Sequence, residues 1–324
     1  MTPEQSPYPG SQLHSLSWAA GDVAYLEIDR DPMAEIQWVK EYATGRKEFS
    51  DRTTDYARQF NVSGMPAEAV IASRVASEIP WRGGEFMHSS EIVTRAMGME
   101  DVADGFRATH RAMQEAFDTP SKVKNELQGI SAQGRQVIEG REVQAWAEAA
   151  NFFSNRGEFL LASVGVLELG NAYEQRGQVD EALYAYNFAR QLLKRGLKVA
   201  TQKGGETEHT AEVDELNNYV VVSLSSVIRL SAAKGRVKGK DKQVLQAAVY
   251  ELDDLGLAAV VVQEGYELLA SNASFREKRY YKREAAAIAG ELAVAKFFAN
   301  GGEILLGGPK PRKDRRHRRP LIAT

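Results

Sequence analysis

Short, glycine-marked breaks between long helical runs constrain this chain more than any other feature of its sequence. Asn155-Arg156-Gly157 and Arg176-Gly177-Gln178 interrupt a helical spacing of apolar residues and leave stretches at about 142–155, 158–175 and 179–200. Breaks this short turn a helix back on itself, so each stretch must pack antiparallel to the one before it. The pattern continues in both directions, with stretches at about 85–97, 100–117 and 120–139 upstream and about 210–234, 241–271 and 275–299 downstream. Nearer the start, helical spacing begins at Pro32 and carries Ile36, Val39, Phe49, Tyr56 and Phe60. It breaks over Asn61–Pro66, resumes over Ala67–Ile79 and ends in the loop Pro80–Gly84. Only Val23–Ile28 alternates like a strand. The predicted class is therefore all-α, built from stacked antiparallel helix hairpins. The predicted organisation is an irregular segment over 1–32, a helical N-terminal domain over 33–140, a second helical domain over 141–300 and a disordered basic tail over 301–324. The natural boundary is the region 118–141.

Between Ser163 and Gly196 the residues specify one hairpin in more detail. Gly170 and Ala182 are small enough for two helices to cross closely, and Gly177 permits the turn between them. Leu169, Tyr173 and Tyr186 fill the groove, while Ala189 leaves room for a following helix. This segment resembles the tetratricopeptide repeat, a helix-turn-helix unit of about 34 residues. Val166 stands where that family has tryptophan, and Lys194 where it has proline. Upstream, Trp146, Ala149-Ala150, Phe153 and Gly157 repeat the first-helix half of the pattern. Downstream, Gly204–His209 followed by Leu216-Asn217-Asn218-Tyr219 is similar to the loop and opening helix of the longer repeats of kinesin light chains, until Leu224 occupies the place of a turn glycine. One repeat cannot bury its own apolar faces, so the resemblance implies a stack whose groove faces a peptide or partner helix. It also implies a non-enzymatic adaptor, scaffold or assembly component, with Asn171, Tyr173, Gln175 and Arg190 as the expected partner contacts.

Charge adds a second theme. The net charge is −3, yet between Pro309 and Arg319 Lys310, Arg312, Lys313, Arg315, Arg316, Arg318 and Arg319 face only Asp314, so the remainder of the chain stands at −9. A like-charged run bounded by prolines does not fold alone and reads as an arm drawn to phosphate, to an acidic protein surface or to the body itself. The chain has no cysteine, which removes disulfides, thiolate metal ligands and thiol nucleophiles. No apolar run reaches the roughly 18 residues of a membrane span, and the first ten residues have neither the basic nor the apolar region of a secretory signal. The expected setting is cytoplasmic or otherwise intracellular, without a membrane partner.

Catalytic chemistry finds little foothold. No zincin His-Glu-x-x-His, phosphate-binding glycine loop or Gly-x-Ser-x-Gly elbow is present, and neither catalytic residues nor a cofactor are expected. Of five histidines, two close a Glu-x-x-His spacing, Glu85 to His88 and Glu206 to His209; with Asp55 and Glu168 or Glu174 this is the ligand set of a di-metal carboxylate bundle, a third-ranked reading. The second-ranked reading is a helical protein that binds or packages nucleic acid, as in a nucleocapsid, with self-association. It rests on the basic tail and on two further patches. Phe275–Arg283 interleaves cations with aromatics, although helical spacing half-buries Tyr280 and Tyr281. Lys234–Lys242 is an anion cradle or a solvated turn. The apolar stretch Leu252–Leu269 is expected to form the most buried helix of the C-terminal half.

Overall fold

A computed structural model of the chain describes residues 32–78, 121–203, 211–255 except 236, and 258–299, together with separate helical positions between 91 and 111. Regular structure among the described residues is helical throughout, with no strand among them. The elements are α1 (Pro32–Val62), α2 (66–78), α3 (Ser121–Ile138), α4 (Glu142–Asn155), α5 (Phe159–Gln175), α6 (Val179–Lys203), α7 (Ala211–Ala233), α8 (Gly239–Asp254), α9 (Ala259–Ser271) and α10 (Phe275–Ala299). The segment Val23–Ile28, the loop Pro80–Gly84 and the basic tail lie outside the described residues.

The breaks predicted from sequence act through one backbone device. At the end of α4, Glu158 N donates to Phe153 O at 3.0 Å and Gly157 N to Ser154 O at 3.1 Å; at the end of α5, Gln178 N donates to Tyr173 O and Gly177 N to Glu174 O, both at 2.9 Å. Gly157 and Gly177 sit at φ 77° and 70°, the left-handed cap in which a side chain would be strained. From α4 to α10 each helix packs on the next, and α5 also touches α7, as α7 touches α9. The result is a stack of hairpins.

A single apolar core runs through this stack. It begins at Ala67, Val70, Ile71 and Val75 of α2, passes Trp146 and Phe153 of α4, and reaches Tyr281 and Leu292 of α10, crossing residue 140 without a break. A small satellite of Ala57, Ala72, Ala76 and Leu127 joins α1, α2 and α3. α5 lies at the centre: Leu160 through Glu168 are all buried, as expected for a helix that is apolar on nearly every side. In the 163–196 hairpin, Gly170 accommodates the ring of Tyr186, whose Cε1 lies 2.6 Å from where a Cβ would be, and Ala182 and Ala189 are fully buried.

One expectation fails. The stretch expected as a single helix over 241–271 is two helices, broken where Ala258 adopts φ 56°, and Leu252–Leu269 is not the most buried segment. Val260 and Val261 are only partly covered, whereas Leu216, Tyr219, Val220, Leu224, Val227 and Ile228 of α7 are buried. The cause is position in the stack: α7 contacts α5, α6, α8 and α9, while α9 has fewer neighbours to cover it.

Candidate functional site

An open polar cavity of about 610 Å³ is lined by Arg74, Arg135, Glu168, Asn171, Glu174, Gln175 and Arg229. These residues come from four helices. α5 supplies Glu168, Asn171, Glu174 and Gln175 at helical spacings, so they share one side; α2, α3 and α7 each supply one arginine.

Glu168 organises the floor. Its side chain is 6% exposed, and one oxygen, Oε1, accepts from Arg74 Nη1 at 2.7 Å and from Arg135 Nη2 at 2.8 Å. Burial acts to raise the carboxyl, but the two guanidiniums outweigh it and hold Glu168 below the usual carboxylate range. Arg74 also donates through Nε to Glu78 at 2.9 Å, and Glu78 accepts from Tyr219 of α7 at 2.8 Å. The chain of contacts Tyr219–Glu78–Arg74–Glu168–Arg135 thus ties α7, α2, α5 and α3 together. On the opposite wall, Arg229 grips Glu174 through both terminal nitrogens, Nη2 at 2.7 Å, and this contact holds the Glu174 carboxyl low. Tyr186 donates from its hydroxyl to Asn171 Oδ1 at 2.7 Å and is shared with Glu174 at 3.1 Å; burial and the neighbouring carboxylate push the phenol up.

The four residues expected as partner contacts separate in space. Asn171 and Gln175 line the cavity. Tyr173 packs against the apolar core instead, and Arg190 does not line the cavity: it pairs with Glu251 of α8, which Lys194 also contacts at 2.7 Å. Arg74, Arg135 and Arg229 escape a reading of the sequence because each sits on a different helix. The signal that points to them is Glu168 itself, an acid inside the apolar run Leu160–Ala172, which must find buried cations to remain there.

The di-metal ligand set is not assembled among the described residues, where no cluster of three metal-ligating side chains exists. Glu168 and Glu174 are engaged by arginines, Asp55 pairs with Arg58 at 3.2 Å, and the Glu85–His88 and Glu206–His209 motifs lie outside the described residues. No helix among the described residues is long and apolar enough to cross a membrane.

Chemically the cavity offers fixed charge and hydrogen-bond donors. A carboxylate held low by arginines is a poor proton shuttle at neutral pH. The lining residues described are all polar or charged in type, unlike those of the mostly apolar pockets that take small organic ligands. Comparison with protein-family models, with curated proteins and with solved structures finds no match.

Proposed function

We propose that this chain is a non-enzymatic adaptor or assembly component, a stack of hairpins of the tetratricopeptide-repeat type that takes an extended, acidic segment of a partner protein along the polar side of α5. Two matched turns at Gly157 and Gly177, and a small residue at each close crossing of the 163–196 hairpin, support the repeat reading.

The observation that carries the partner reading is the donor surplus in the cavity. Arg135 spends one N–H on Glu168, lies over the Trp146 ring at 5.7 Å and pairs with no other carboxylate among the described residues, with half of its side chain exposed. The carboxamide nitrogen of Asn171 and the whole carboxamide of Gln175 have no hydrogen-bond partner among the described residues. Asn171 and Gln175 are one helical turn apart, about 6 Å along the axis, which is close to the span of two residues of extended chain, about 6.6 Å. Main-chain carbonyls of an extended peptide would meet the two amides, and an aspartate or glutamate would meet Arg135, whose planar fork suits a carboxylate.

A peptide library displayed on phage tests this with the full chain and with the double variant Arg135→Ser/Gln175→Ala. Enrichment of acidic extended sequences on the wild type, lost on the variant, is the expected result. Equal enrichment on both proteins, or no acidic bias, refutes the assignment of the cavity.

A further inference from the structure

The fold brings together two basic segments that the sequence holds some forty residues apart. Val237 N donates to Asn272 Oδ1 at 3.1 Å, and Lys242 Nζ pairs with Glu277 at 3.2 Å, so the loop before α8 and the first turns of α10 lie at the same end of the stack. Several cations there are neutralised internally. Lys234 contacts Asp180 and Asp241, Lys242 contacts Glu277, and Arg283 contacts Glu284. Lys238, Lys240, Lys278, Arg279 and Lys282 are exposed and pair with no carboxylate among the described residues.

Their placement is unfavourable for the helices themselves. Lys238 and Lys240 stand at the start of α8 and Lys278 and Arg279 in the opening turns of α10, near helix ends where the dipole is positive. Beside them Phe275 is 73% exposed, and the Arg279 guanidinium lies over its ring at 4.9 Å. Arg283 lies over Tyr280 at 5.8 Å. The surface therefore pairs uncompensated positive charge with an open aromatic face, on a chain that is net acidic outside its tail.

We infer that this end of the stack binds single-stranded nucleic acid, with the five free cations on phosphates and the Phe275–Arg279 pair as a stacking platform for a base. Charge alone would suit any polyanion. The exposed ring selects nucleic acid, because a base has a π face to stack on it and an acidic peptide or a phospholipid headgroup has none. The net negative body repels phosphates elsewhere, which confines the strand to this face. This surface lies on α8 and α10 and is independent of the α5 cavity.

Fluorescence anisotropy with a labelled 20-nucleotide poly-U strand, measured on the full chain across a salt series, tests the assignment. Lys278→Glu/Lys282→Glu should weaken binding at least tenfold and flatten the salt dependence by a slope of about 1.4, the share of two single-strand phosphate contacts. Phe275→Ala should weaken it roughly 5- to 100-fold while leaving that slope unchanged. All three positions are on the surface, and unchanged thermal melts will show that the variants fold. A companion chain with the tail arginines replaced by glutamine separates the tail from the patch. The inference is overturned if binding disappears with the tail alone and ignores the α10 variants. It is overturned equally if the Phe275→Ala chain binds poly-U as well as the wild type does, or if phosphatidylserine vesicles or poly-glutamate compete as well as poly-U; those results would identify a membrane or generic polyanion surface.

Discussion

Replacing Glu168 by glutamine should destabilise this protein more than any exposed charge substitution, and in a pH-dependent way. The glutamine keeps the shape of the side chain and one acceptor, but it removes the charge that two guanidiniums share at 2.7 and 2.8 Å. Stranding a buried ion costs about 3–5 kcal/mol. Here Arg74 retains Glu78, and Arg135, half exposed, can turn its free N–H groups to water, so the loss should be smaller, about 2–3 kcal/mol. In urea that corresponds to a midpoint lowered by about 1 M. The sign with pH follows from the depressed carboxyl. Glu168 is lower in the folded than in the unfolded state, where it titrates near about 4.3. Its stabilisation is therefore complete above that value and is lost as pH falls through the folded-state value. Wild type and Glu168→Gln should differ fully at pH 7 and converge as the buffer is taken down through the carboxylate range. Equal midpoints at pH 7, or a gap that persists undiminished in acid, would refute the view that ionised Glu168 holds the cavity together.

Three further substitutions probe the frame of the fold. Gly170→Ala places a Cβ 2.6 Å from the buried Tyr186 ring, whereas Gly129→Ala, on an open face of α3, meets nothing within 4 Å. Both gain about 1 kcal/mol of helix propensity, but overpacking should leave Gly170→Ala about 1–3 kcal/mol below Gly129→Ala in parallel urea titrations. Matching stabilities would refute the close packing of Tyr186 on Gly170 at the α5–α6 crossing. Ala258→Gly should instead raise stability by about 0.5–1 kcal/mol, because relief of the left-handed backbone exceeds the added freedom of glycine in the unfolded chain; a fall in the melting temperature would contradict this.

Much of the frame was legible before any coordinates. The boundaries of α4 and α5 follow from apolar spacing punctuated by Gly157 and Gly177, because a residue that tolerates a left-handed cap acts through its immediate neighbours. Asn171 and Gln175 could be placed on the polar side of α5 for the same local reason. Tyr173 and Arg190 could not be placed in this way, since one turned into the core and the other toward Glu251 of α8. The division of 241–271 into α8 and α9 was also missed, because a lone glycine, Gly256, between apolar residues reads as a tolerated interruption of one helix, and Ala258, which takes φ 56°, is a residue that signals helix.

The sequence by itself determined that the stretches at about 142–155, 158–175 and 179–200 are helices and that each must fold back on the last, since hydrogen bonds within four residues and turn stereochemistry require nothing distant. Tertiary structure alone decided where the charges meet. Arg74, Arg135 and Arg229 converge on α5 from three other helices, and the basic segments at 234–242 and 275–283 become one surface, because side chains remote along the chain become neighbours only when the core has fixed the relative rotation of the helices.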